Sequence, residues 1–79
     1  MQKVRATLYN HTQATPSTTW TVNHNLSGNG SSGIPIVDVV VDKDGTKTKM
    51  IPLEVTIVDK DNITISFSVA QSGSAMILI

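Results

Sequence analysis

The same four residues occur twice in this chain. Val41-Asp42-Lys43-Asp44 runs into Gly45, and Val58-Asp59-Lys60-Asp61 runs into Asn62. Each copy lies between runs rich in Val, Ile and Thr. Asp, Asn and Gly accept the backbone angles of a tight turn, and β-branched residues favour a pleated strand. The two copies therefore predict two hairpin tips. Together with the alternating segments around them, they predict a chain that is mostly β-sheet.

Length sets the next constraint. With 79 residues the chain makes one small domain, residues 1–79. Ordering each residue costs about 1–2 kcal/mol of backbone entropy, and a small domain has little interior with which to offset it. Small folds often add a disulfide, a metal or a partner subunit. Cysteine is absent, which removes disulfides and thiolate metal sites. Two histidines without a matching ligand spacing predict no structural zinc. Self-association is the remaining staple, and an unusually efficient core is the alternative to it.

The apolar residues show which faces turn inward. Lys3 to Tyr9 alternates, with Val4, Ala6 and Leu8 on one side. Asn10 to Ser17 is polar and contains Pro16, which predicts a connecting loop. From Thr18 to Leu26, Trp20, Val22, His24 and Leu26 share a face, and Trp20 is its natural centre. Residues 27–33 read Ser-Gly-Asn-Gly-Ser-Ser-Gly, a flexible loop. Val37, Val39 and Val41 then oppose Ile36, Asp38, Val40 and Asp42. Thr46 to Ile51 is the return strand, and Pro52 marks an edge or bend. Leu53 to Val58 and Ile63 to Phe67 alternate again, and Ala70 to Ser74 reads as a turn around Gly73.

The last segment, Ala75-Met76-Ile77-Leu78-Ile79, is apolar on both faces. Such a strand is usually covered on both sides. If Ala75, Ile77 and Ile79 face the core, Met76 and Leu78 are left on the reverse. The expected fold class is all-β: a small antiparallel β-sandwich or barrel of about six to seven short strands.

Chemistry is sparse. Neither acidic tip completes a calcium loop: the twelfth position counted from Asp42 is Leu53, where a bidentate Glu is needed. No Gly-x-Ser-x-Gly elbow is present, and no acid is placed to orient His11 or His24. No catalytic, cofactor-binding or metal-binding residue is therefore assigned, and no enzyme is expected. The glycine-serine stretch lacks the Lys-Ser/Thr of a phosphate loop. Net charge is zero and Lys and Arg form no patch, so neither nucleic acid nor an anionic membrane is an expected partner. No apolar segment follows Met1-Gln2-Lys3-Val4-Arg5, so the chain is expected to begin in the cytoplasm of whatever makes it. The four Asn-x-Ser/Thr triplets, at Asn10, Asn25, Asn29 and Asn62, then read as chance in a Ser/Thr/Asn-rich chain.

One series of landmarks has a counterpart elsewhere. Trp20-Thr21-Val22-Asn23-His24-Asn25-Leu26 leads to Pro35, Val37 and Val39, then to an Asp42-to-Gly45 tip and a Ser72-Gly73-Ser74-Ala75 element before the last strand. This order resembles a small β-rich module of tailed-bacteriophage virion proteins, over roughly three quarters of the chain. The glycine-serine stretch between Leu26 and Pro35 departs from that pattern. The resemblance implies a virion structural protein with the major capsid protein or other virion proteins as partners. A free-standing domain of this length suits a capsid decoration or cement protein. A tail-fibre or baseplate module for host attachment is the alternative, and a carbohydrate-binding adhesion domain is the third. The expected interface residues are Met76, Leu78 and Ile79 of the last strand, then Val4 and Leu8 of the first.

Overall fold

The structure, a computed structural model, describes residues 8–26 and 34–78. They form five antiparallel strands in one sheet: β1 (Leu8–Asn23), β2 (Ile36–Lys43), β3 (Thr46–Met50), β4 (Glu54–Asp59) and β5 (Asn62–Leu78). The expected all-β, antiparallel class is what is found. The sheet does not close into a barrel. Among the described residues there are five strands rather than six to seven, because two of them are long.

Those two strands overturn two expected connections. Asn10 to Ser17 lies inside β1, and Ala70 to Ser74 lies inside β5. Among the described residues β1 pairs with β5 alone, as an edge strand does, so the missing N–H of Pro16 interrupts no second ladder there. The polar stretch is absorbed by irregular pairing. Residues 14–16 face residue 72 alone, and residue 18 faces residues 67–70. Bulges of this kind bend a strand and increase its twist.

β5 is the backbone of the fold. Its first half pairs with the end of β1 and with β4 (Trp20↔Ile65↔Val55). Its second half pairs with the start of β1 and with β2 (Tyr9↔Ile77↔Val37). β3 completes the β2 side through Val39↔Met50. Both halves feed one hydrophobic cluster: Trp20, Val22, Ile63 and Ile65 from one, Val39, Val41, Ala75 and Ile77 from the other. The alternation expected for each of these segments holds.

Trp20 fastens the bend. Its Nε1–H donates to the carbonyl of Gln71 at 3.0 Å. The indole leans on Phe67 (centroids 4.8 Å apart) and on His11 (5.8 Å). His11, expected in a solvated loop, instead sits half-buried on β1 with its Nε2 2.8 Å from Gln13 Oε1. His24 is buried, and its Nδ1 accepts the Leu26 N–H at 3.1 Å.

Both repeated words are hairpin tips, but with different loops. In the first, Lys43 pairs with Thr46, and Asp44 (φ 52°) and Gly45 (φ 86°) form the turn. Two consecutive positive φ values mark the turn whose twist matches the flanking strands. In the second, Asp59 pairs with Asn62, and Lys60 and Asp61 form the turn after an irregularity between Ile57 and Asp59. With Asn62 in place of a glycine, the loop sits one residue earlier in the word. The Asp59 carboxylate accepts from the Asp61 N–H (2.9 Å) and the Asn62 side-chain amide (2.9 Å). Those hydrogen bonds, the backbone one first, hold its pKa below the ordinary aspartate value.

Candidate docking surface

The reverse face of the β1–β5–β2 region follows from strand parity. Where Tyr9, Ile77 and Val37 turn to the core, their neighbours turn out. Leu8, Leu78 and Ile36 are directly opposed across three strands, so they form one apolar row. The next outward row is Asn10, Met76 and Asp38, and the third is Thr12, Ser74 and Val40. Leu8 (43% exposed), Ile36 (66%), Met76 (46%) and Leu78 (42%) all reach solvent. Cross-strand neighbours on one face lie within side-chain reach, so the four make a continuous ridge. Asp38, which flanks Met76 in the second row, is paired with Lys49 at 3.0 Å.

Of the five residues expected at an interface, the structure brings Leu8, Met76 and Leu78 together on this ridge. Val4 and Ile79 lie outside the described residues. Ile36 completes the ridge and was not anticipated as a contact residue. Its signal was present: with Val40 it is one of two apolar members of the β2 face that carries Asp38 and Asp42.

A second apolar surface lies where β3 crosses to β4. Met50, Ile51, Leu53, Phe67 and Val69, with Ser68 and Gln71, line a hollow of about 360 Å³, and among the described residues no charged side chain lines it. Pro52 interrupts the strand pattern here, and the Leu53 N–H is held by the Ser66 carbonyl at 2.8 Å. The chain thus leaves β3 with Ile51 (94% exposed) and Leu53 (73%) turned to solvent beside Val69 (64%). Sequence alternation alone had placed Leu53 with the core-facing residues of its strand.

A polar hollow, also of about 360 Å³, lies near the bend among Thr12, Gln13, Ser72 and Ser74. Its charged groups, Asp42 and Lys47, are 3.6 Å apart and serve each other. Among the described residues, no three His, Cys, Asp or Glu side chains are grouped to hold a metal ion. At each acidic tip one carboxylate accepts within its own turn: Asp42 Oδ1 accepts the Gly45 N–H at 3.2 Å, as Asp59 does for Asp61. What the ridge and the hollow offer chemically is mainly apolar area on a sheet.

Compared with protein-family models, with curated proteins and with solved structures, the chain matches none. The likeness to the phage module therefore rests on the residues quoted for it.

Proposed function

We propose that this chain is a structural subunit of a tailed-phage virion, a capsid decoration protein that docks on protein neighbours through the outer face of its sheet. The observation that carries this reading is the ridge of Leu8, Leu78, Ile36 and Met76. Four apolar side chains occupy adjoining positions on a face whose parity would ordinarily be polar. A contiguous apolar patch of this kind on a small protein marks an interaction surface. The Trp20-to-Leu26 and Ser72-to-Ala75 elements support the virion context through the resemblance they carry. A head protein meets many equivalent sites, so modest affinity at each is enough when neighbours also touch.

Copy number in purified particles is the test. Quantitative mass spectrometry that finds the chain at a copy number comparable to the major capsid protein supports head decoration. A handful of copies moves the protein to the tail tip, and its absence from particles refutes a virion role. In reconstitution on undecorated heads, Ile36→Lys should abolish binding, and a variant that binds like the wild type removes the ridge from the contact.

A further inference from the structure

Among the described residues His24 is the one buried polar side chain, 3% exposed on the face that carries Trp20 and Val22. It stands where the end of β1 meets the β4–β5 tip. The His24 and Asn25 N–H groups both donate to the Asp61 carbonyl, at 2.9 and 3.4 Å. Asn25 then takes a left-handed backbone (φ 52°), a conformation asparagine tolerates. That turn brings the Leu26 N–H to within 3.1 Å of His24 Nδ1 and seats Leu26 in the hydrophobic cluster.

A backbone N–H can only donate, so Nδ1 must accept, and the neutral ring carries its proton on Nε2. A second proton has to go to Nδ1. There it would face the Leu26 N–H, donor against donor, and it would leave a charge in a buried site. Asp59 is the ionisable group set against the ring from the tip. The Asp61 N–H and the Asn62 amide do most to keep that carboxylate charged, and the imidazole acts in the same direction. Asp59 therefore eases a charge on the ring, but it cannot restore the acceptor that Leu26 uses. Asp61 meets the ring's residue through its backbone carbonyl, and Lys60 is exposed.

We infer that His24 is an acid-sensitive clasp: a proton taken up at Nδ1 releases the Leu26 N–H and loosens the end of β1 from the β4–β5 tip. Histidine is the side chain whose charge ordinarily changes between about pH 5 and 8, so the clasp opens as pH falls through that window. The open form binds one proton more than the closed form, so acid favours opening by up to about tenfold per pH unit. This device is independent of the docking reading.

Amide hydrogen exchange, corrected for its intrinsic dependence on pH, tests it. Protection of the Leu26, His24 and Asn25 amides should fall by about tenfold or more between about pH 8 and 5. Ile65, paired with both Trp20 and Val55, should keep its protection. Ring nitrogen-15 shifts should show Nδ1 bare at the upper end and gaining its proton over the same range. His24→Asn keeps an acceptor for the N–H two residues on but takes up no proton, so its Leu26 protection should not follow pH. Wild-type protection that stays level across the range overturns the inference. So does a loss that occurs where the ring does not titrate, a closed form already protonated at Nδ1, or a His24→Asn protein that loses protection as the wild type does.

Discussion

Replacing Gly73 by alanine should be among the most damaging single substitutions in the sheet. Gly73 pairs with Gln13 on one side and Val41 on the other, in the middle of β5. Its φ is +150°, a region that residues with a side chain rarely adopt. A Cβ built there would lie 2.1 Å from the Val40 carbonyl oxygen and 2.8 Å from Val41 Cα. Both atoms are backbone, so relief requires the β2–β5 ladder to open rather than a side chain to turn. Backbone strain contributes about 1–3 kcal/mol and overpacking about 1–3 kcal/mol. The total of roughly 2–6 kcal/mol compares with about 4–12 kcal/mol for a whole domain of this length.

Gly45 supplies the internal comparison. Its φ is +86°, but nothing lies within 4 Å of a Cβ added there. Gly45→Ala should therefore cost only the left-handed backbone penalty, about 1–2 kcal/mol. Urea unfolding followed by Trp20 fluorescence measures both, since Trp20 is the single tryptophan and is buried beside the bend. The expected order is wild type, then Gly45→Ala, then Gly73→Ala, with the last losing at least about 2 kcal/mol. A Gly73→Ala protein within about 0.5 kcal/mol of the wild type, the range of ordinary surface changes, would refute the close approach of β2 at this position.

Other outcomes follow from single contacts. Trp20→Phe removes the donor to the Gln71 carbonyl and should cost about 1–3 kcal/mol for the orphaned acceptor, read as a lower urea midpoint. Asp59 has a folded pKa below its unfolded value, so its contribution to stability is complete above the unfolded pKa and fades as pH falls through the folded one. Asp59→Asn should lessen the loss of stability in the acid range, which melting curves on either side of the ordinary aspartate value will show. The Lys49–Asp38 pair is exposed, so Lys49→Met should change stability by under about 1 kcal/mol, with the difference shrinking as salt is raised.

Much of the fold was legible because strand parity is a strict rule. The Trp20-to-Leu26 face, the Val37-Val39-Val41 face and the Ile63-Ile65-Phe67 face all turn inward as alternation requires. Ala75 and Ile77 turn in and Met76 and Leu78 turn out for the same reason. The long strands were not legible. Proline, glycine and serine signal breaks, yet at Pro16 the edge position leaves the absent N–H without consequence, and at Gly73 the missing side chain admits a neighbouring strand. Both act as features of a bent strand rather than as ends of one. The ridge was half visible, because Met76 and Leu78 betray a strand apolar on both faces, whereas Leu8 and Ile36 join them only through the β1–β5–β2 register. The hollow was hidden, since it joins the β3–β4 link to the middle of β5, which no local pattern relates.

The exposed apolar ridge also bounds how the proposed docking can hold. Leu8, Ile36, Met76 and Leu78 together expose about two residues' worth of apolar area, and burying a Leu, Ile or Met side chain fully yields about 1.5–3 kcal/mol. Covering the ridge therefore gains roughly 3–6 kcal/mol from this chain's side before costs. Association itself costs about 4–15 kcal/mol in lost freedom. A copy docked through the ridge alone would thus be weakly held. Under the proposed decoration role, a subunit that also touches its neighbours on the head gains from several contacts while losing its freedom once, so coating is expected to be favoured on an array of sites over a single site.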